Sequence, residues 1–430
     1  MDIDEEDGQN VVAQLNVVEA NAVYLLIDRM SRVGAVPHQG STSYGRSYVA
    51  PSDLVVTAET ISAGLNGSTA AVRSVGGKRV HDLIIKTPRA VKNCGAKVGR
   101  NRAELERYLF DCSDPLSFEY LNHASLHPLR RVCPNFEMVH GYFWTRGHLE
   151  DGRLRDSGAE EKEGEPTVLR PVMLAERVRP GITVQDECKT SSAVEVTTLL
   201  LQVMLACEVA YQYNGFTHYD LHTKNVLVRD LDEPDTLTYT IDGLEYTLDA
   251  MQHAVIIDAA RAYVSDRREV AEVHGMGGDA RHYDPDRNDH WLLYKYQPGW
   301  TFYVRRPHRT YDMVVFCHAF IASVRRRFLD PASRWHDRRL AAFAADFMRD
   351  HPRAQGRNKY HTHTPSLNGT HGGSAFRRPL DVYSWFSRFR DANPGYDDAE
   401  FERLNGAHPP DGGAPSEATG GDEALQGKAV

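Results

Sequence analysis

The chain has 430 residues, and 50 Lys and Arg against 59 Asp and Glu leave a formal charge of −9. That is small for the length and excludes a basic nucleic-acid arm as the main feature. With 41% hydrophobic and 25% charged residues, the sequence can bury a sizeable core, so a globular, enzymatic protein of two or three lobes or domains is expected.

Six cysteines, at positions 94, 112, 133, 188, 207 and 317, include no CxxC pair and have no closely spaced histidine pair beside them. Neither a zinc module nor a disulfide framework is indicated, and a reducing compartment follows. The first residues, Met1 to Asp7, are acidic, and no apolar run approaches the roughly 18 residues that span a bilayer. The expectation is a soluble, unsecreted protein, cytoplasmic or otherwise intracellular, with no membrane or nucleic-acid partner.

Residues 1–10 lack aromatics and read as a disordered tail. Strand-like text follows at Leu54-Val55-Val56, Thr60-Ile61 and Asp82 to Lys86, then polar, Ala-containing helical text from Val98 to Asn122. Glu150 to Pro166 is charged and reads as a solvated insertion between two apolar runs, Phe136 to Trp144 and Thr167 to Leu174.

The second half is helix-rich. Val196, Leu199, Leu200, Val203, Met204, Cys207 and Ala210 repeat at helical spacing and describe one broad buried face. Asn214-Gly215 is a favourable left-handed stop. Immediately after it, a polar loop runs from Phe216 to Asn225 and feeds the apolar strand Val226-Leu227-Val228.

Tyr239 to Tyr246 reads as a hairpin turning at Asp242-Gly243, and Ala254 to Ile257 as a second short strand that delivers Asp258. Arg325-Arg326-Arg327 closes a helix, facing solvent or complementing its C-terminal dipole. Tyr360-His361-Thr362-His363 with His371 lacks carboxylate or thiolate partners at ligand spacing and reads as a polar loop. From about residue 405 onward Gly, Pro, Ala and acids dominate, and 405–430 reads as a second disordered tail.

A polar cluster squeezed between a buried helix and a β-branched strand is the strongest functional signal in the chain. Asp220 and Asn225 share that loop, and Asp258 ends the neighbouring strand. Two carboxylates and an amide oxygen so arranged could set a base beside a hard-cation site, because Mg²⁺ prefers oxygen ligands and bound phosphates. Phosphoryl transfer needs such an arrangement.

His218-x-Asp220-x-x-x-x-Asn225, followed by an apolar strand ending in Asp258, resembles the catalytic core of the protein-kinase-like superfamily. The resemblance implies Asp220 as the base or orienter of the attacking hydroxyl, with Asn225 and Asp258 holding Mg²⁺. Upstream, Ser62-Ala63-Gly64-Leu65-Asn66-Gly67 matches the last two glycines of a phosphate-covering loop, Gly64 and Gly67. Leu83-Ile84-Ile85-Lys86 looks like the strand whose lysine neutralises the α- and β-phosphates.

That lysine needs a helix glutamate, and Glu104, Glu106 and Glu119 are the candidates. Glu119 is favoured, because Phe118 to Leu121, leading to Cys133-Pro134-Asn135-Phe136, resembles the helix-to-strand stretch of kinases, especially divergent ones from large DNA viruses. Val172 to Val178 resembles the hinge strand, whose backbone would bind adenine around Glu176 to Val178. Asp312 matches the buried aspartate that braces the catalytic loop.

The implied fold class is α+β, a two-lobed protein-kinase-like fold with an N-terminal antiparallel sheet lobe and a helical C-terminal lobe. Residues 11–175 would hold the N-lobe and 176–395 the C-lobe with its extensions. The implied activity is ATP- and Mg²⁺-dependent transfer to an unidentified protein Ser/Thr hydroxyl.

Several departures from the family pattern bear on this. Tyr219 stands where many protein kinases carry Arg, so no activation by loop phosphorylation is expected. No Ala-Pro-Glu lies between Asp258 and Asp312, and His222 is similar to the pattern of aminoglycoside and choline phosphotransferases, which keeps a small-molecule kinase open. Asp258-Ala259-Ala260 in place of Asp-Phe-Gly keeps a pseudokinase interaction module open.

Overall fold

The computed structural model describes residues 56–63, 67–75, 78–79, 83–88, 116–145, 148–150, 153–155, 170–273, 307–352 and 375–394. Gly64, Glu104, Glu106, Cys94, Cys112, the histidines at 361, 363 and 371, and both expected tails lie outside them. The chain divides into two compact units, 1–387 and 388–430. The described part of the second is the end of the last helix and the turn after it.

The architecture is mixed α/β with antiparallel sheets. Eight strands form the larger sheet, β1 (Val56–Ala63), β2 (Gly67–Val75), β3 (Lys78–Arg79), β4 (Leu83–Pro88), β5 (Val139–Thr145), β6 (His148–Glu150), β7 (Arg153–Arg155) and β8 (Arg170–Glu176). Their order is β5-β8-β4-β2-β1-β7-β6, with β3 beside β2. The short runs expected at Val56 and Thr60-Ile61 are thus one strand. Part of the segment expected as an insertion is also strand, since β6 and β7 pair as a hairpin and Arg153 of β7 pairs with Thr57 of β1.

The register places Lys86 of β4 between Thr69 of β2 and Met173 of β8. Lys86 therefore occupies an interior strand, flanked on both sides. Across one face lies a helix, α1, over residues 116–125. Leu116, Phe118, Tyr120, Leu121 and Ala124 pack there against Ile84, Val139, Met173 and Ala175. Burial of that order contributes about 1.5–3 kcal/mol for each large side chain.

A second and larger core surrounds α3 (Ala193–Asn214). Ser192 caps the helix, accepting from the Glu195 backbone N–H while the Glu195 carboxylate accepts from that of Ser192. This reciprocal pair satisfies two otherwise orphaned donors. The far end closes at Gly215, whose φ of 71° is the left-handed stop read from the sequence.

One broad face proves too narrow a reading of α3. Leu201, Gln202, Leu205, Ala206, Glu208 and Val209 are buried too, so the helix is covered on nearly all sides. Among the described residues α3 is the one helix long and apolar enough to cross a membrane, and 78% of its most apolar window is buried inside the protein. That length corrects the expectation that no apolar stretch approaches a span, and burial in the core accounts for the composition.

Around α3 stand α2 (Val184–Thr190) and a three-stranded sheet in the order β11-β10-β9, made of β9 (Pro180–Thr183), β10 (Val226–Ile241) and β11 (Leu244–Ile256). Asp242 and Gly243, at φ 53° and 77°, form the two-residue turn of the long β10–β11 hairpin, with Ile241 opposite Leu244. Its register shifts between Asp230 and Asp235, where Pro234 has no N–H to give to a ladder.

Next come α4 (Arg267–Val273), α5 (Tyr311–Val324), α6 (Arg338–Asp350) and α7 (Pro379–Ala392). Phe343 and Phe347 of α6 lie against Phe376, and Phe343 also against Phe386 of α7. The arginine run after α5 is split in its roles. Arg325 and Arg326 are exposed, while Arg327 donates to the Thr190 carbonyl and stacks over Trp335.

The two cores meet at one seam. Phe136 bridges Ile256 of β11 in parallel, with Glu137 N–H donating to the Ile256 carbonyl at 3.1 Å and Ile256 N–H to the Asn135 carbonyl at 2.7 Å. Asn135 is fully buried and satisfied, donating to Ala254 and Gln202 and accepting from the Tyr239 hydroxyl. The candidate residues gather at this seam.

Candidate active site

Lys86 Nζ lies 2.7 Å from Glu119 Oε1 of α1, so the glutamate favoured from the sequence does pair with it, while Glu104 and Glu106 lie outside the described residues. A second carboxylate also reaches the lysine. Glu137 Oε2 lies 2.8 Å from Nζ, and His123 Nε2, one turn along α1 from Glu119, is 3.5 Å from that same oxygen.

Glu119, His123 and Glu137 are buried and Lys86 is partly buried, and the His123 ring nitrogens make no hydrogen bond. Glu119, His123 and Glu137 have the ligand atoms of a metal site, within 4.8 Å of one another. Here the Lys86 ammonium is the cation the two carboxylates share.

The electrostatics follow from the count of charges. Burial works against the Lys86 ammonium, but Glu119 and Glu137 outweigh it and raise its pKa above the ordinary lysine value. One ammonium cannot fully compensate two buried carboxylates with Asp258 nearby. Burial therefore pushes Glu119 up to about 7 against the pull of Lys86, and Glu137 moves up for the same reason. Burial and Lys86 together hold His123 well below its usual range, so its ring is neutral.

The loop after α3 is held differently. Asp312, in the first turn of α5 and 3% exposed, accepts the His218 N–H at 2.5 Å and the Tyr219 N–H at 3.0 Å. Burial pushes the Asp312 carboxyl up to about 6 despite these donors. Tyr219 has φ 61°, a left-handed conformation unusual for a bulky residue, and the two bonds to Asp312 fix the backbone through that bend.

His218 turns its Nε2 to the Ile257 carbonyl at 2.9 Å, tying the loop to the strand end that carries Asp258. Asn225 Nδ2 donates to the Asp220 carbonyl at 2.9 Å, and Ile257 N–H donates to the Asn225 carbonyl at 3.0 Å. Asp258 is itself left-handed at φ 61° and precedes the short 3₁₀ turn Ala259–Arg261 without a side-chain capping bond.

Arg261 at the end of that turn reaches Asp220, with Nη1 3.2 Å from Oδ2. His222 sits beside Asp220, and burial holds its pKa below the usual histidine value. At neutral pH the fixed cation next to Asp220 is therefore the guanidinium of Arg261.

The segment after Asp258 is also tied to α1. Asn122 Nδ2 donates to the carbonyls of Ala259 and Ala262 at 2.6 and 3.1 Å, and the buried Arg267 donates through Nε to Asn122 Oδ1 at 2.7 Å. Arg267 also bonds the Ala262 carbonyl and covers the Phe118 ring at 4.8 Å. Ser125 and Asn214 both donate to Asp266.

Other residues singled out from the sequence fall as follows. Gly67 opens β2, and the segment 64–66 before it lies outside the described residues. Glu176 ends β8 with its backbone N–H on the Met138 carbonyl, and its carboxylate is engaged by Arg130 and Arg229 and by the Met138 N–H. Burial opposes ionisation there, but the two guanidiniums outweigh it and hold Glu176 below the usual carboxylate range. Val178 is buried two residues on.

Glu137, Arg261, Asn122 and Arg267 escaped the sequence reading. Only Glu137 left a trace, as an acid in the middle of an apolar run from Phe136 to Val139. A search against protein-family models found no match, and a search of curated proteins found none either.

Proposed function

We propose that the chain is a two-lobed, protein-kinase-like phosphotransferase that moves the γ-phosphoryl group of Mg·ATP to a hydroxyl, with a protein Ser/Thr hydroxyl as the leading substrate. The observation that carries this reading is the Lys86–Glu119 ion pair at 2.7 Å, formed across 33 residues by a strand and a helix. It stands with a second constellation, the Asp312-braced loop bearing Asp220 and Asn225 next to the strand end at Asp258. Several separate stretches of sequence supply these parts.

The donor set fits a hard divalent cation. Asn225 has its amide N–H engaged and its oxygen remaining, and the Asp258 carboxylate makes no capping bond to the turn that follows it. Asn225 and Asp258 would hold Mg²⁺, which when bound neutralises phosphate charge and orients the γ-phosphoryl group.

The chain's own residues supply the rest. Lys86 offers an ammonium to the α- and β-phosphates, Asp220 orients the attacking hydroxyl and accepts its proton, and Arg261 adds a permanent positive charge beside Asp220. The backbone around Glu176 to Val178 would receive adenine, and Gly64 and Gly67 would flank the phosphates. Positioning and charge neutralisation contribute most of the rate, with base catalysis adding about 10² to 10⁴.

Calorimetric titration with ATP in the presence and absence of Mg²⁺ tests the binding half of this reading. The expected result is saturable binding that Mg²⁺ strengthens in the wild type but not in Asp258→Asn. Absence of ATP binding to the folded wild type would overturn the reading, and binding with no turnover on any hydroxyl would select a pseudokinase scaffold. Transfer to soluble metabolites but to no protein would select the small-molecule kinase.

A further inference from the structure

We propose that Glu137 is a second positioning residue for Lys86, holding the ammonium from the sheet side independently of Glu119 on α1. Glu137 Oε2 is 2.8 Å from Nζ, against 2.7 Å for Glu119 Oε1, so the two contacts are equivalent in length and both are charge-assisted.

Their supports differ. Glu119 rides on α1, whose place depends on Asn122, Ser125 and Arg267. Glu137 is fixed in the extended backbone at the seam. Its N–H bonds Ile256, its neighbour Phe136 bridges Ile256, and its other neighbour Met138 exchanges bonds with Glu176. A lysine held by a helix glutamate alone is released when the helix swings away. Lys86 has a second tether that does not move with α1.

The groups facing the ammonium are Glu119 and His123 from α1 and Glu137 from the seam, while Asp258 acts on both carboxylates and Glu176 on Glu137. His123 is neutral there, and removing one carboxylate still leaves the other in contact with Nζ. The pKa of Lys86 should survive either single neutralisation and fall only when both carboxylates are gone. The tether stands apart from the functional reading, whereas its consequence for nucleotide binding rests on that reading.

The test is acetylation of Lys86 by an N-hydroxysuccinimide ester, followed by peptide mass spectrometry. It compares the intact wild-type chain with Glu119→Gln, Glu137→Gln and the double variant, each checked for folding by circular dichroism. The free-amine fraction rises about tenfold for each unit of pKa lost. The single variants should therefore stay within about threefold of wild type, while the double variant reacts at least about tenfold faster.

If Glu119→Gln alone reacts as fast as the double variant, Glu137 does not position Lys86 and the proposal is wrong. Should the double variant fail to fold, the denatured wild type supplies the unprotected rate. Glu119→Gln must then remain well below it, and equality overturns the proposal.

In parallel, KM for Mg·ATP should rise less in either single variant than in the double variant. A wild type that binds no ATP would overturn the functional reading and leave the labelling result standing.

Discussion

Two regions of the molecule solve the same problem, fixing charged groups at a seam, by opposite means. Around Lys86 the solution is long-range and electrostatic, with one ammonium and two carboxylates brought together from a strand, a helix and the seam and then buried. Around Asp220 it is local and backbone-based. The loop from His218 to Asn225 is contiguous, bends through a left-handed Tyr219, and is braced by main-chain bonds to a single buried carboxylate. The first arrangement responds to pH and to removal of a charge, the second to anything that loosens its backbone.

The largest expected effect lies at the loop. Asp220→Asn should reduce phosphoryl transfer by about 10² to 10⁴, read in steady-state turnover, with the thermal midpoint little changed because Asp220 is partly exposed. A variant that keeps full turnover would break the assignment of the base.

At the Lys86 cluster the loss should appear as stability. Lys86→Met leaves two buried carboxylates unpaired, which costs about 3–5 kcal/mol, measurable by urea denaturation. Its sensitivity to pH sharpens the comparison. Glu119 is pushed up from 4.5 to about 7, so the folded state holds this proton more tightly than the unfolded chain. Its contribution to stability is complete below about 4.5 and disappears as the pH rises through about 7. Glu119→Gln should flatten the pH profile of stability in that window.

Asn122→Ala tests the link from α1 to the segment after Asp258. It strips partners from Arg267 and two carbonyls and should cost about 1–3 kcal/mol, with faster amide exchange in 116–125 and 259–267. The smallest effect belongs away from both regions. Ser192→Ala removes half of the α3 capping box and should cost about 1 kcal/mol with no change in nucleotide affinity.

The same contrast explains what the sequence made legible. The Asp220 loop could be read because its residues are consecutive and their chemistry depends on short spacing. The end of α3 could be read because glycine alone takes the left-handed stop without strain. The turn at Asp242-Gly243 was visible for a similar reason.

Long-range assembly was less legible. Lys86 and Glu119 were joined only through a resemblance, and Glu137 was hidden in an apolar run that says nothing of an ammonium across the seam. The apolar spacing of α3 marked one face, but that pattern could not show that Gln202 and Glu208 on the other side are buried as well, with Gln202 bonding the Ala254 N–H and Glu208 paired with Arg309. Arg267 left no sign, since an arginine at the start of a short helix is ordinarily solvated.

The central claim is that the Lys86 cluster and the Asp220 loop serve one reaction. The measurement that tests it most directly is transfer of label from γ-labelled ATP with Mg²⁺, to the chain itself or to an added mixture of proteins, in the wild type, Lys86→Ala and Asp258→Asn. The account predicts transfer by the wild type and its loss in both variants. Absence of transfer from a folded, ATP-binding wild type, or transfer that survives either substitution, would contradict it.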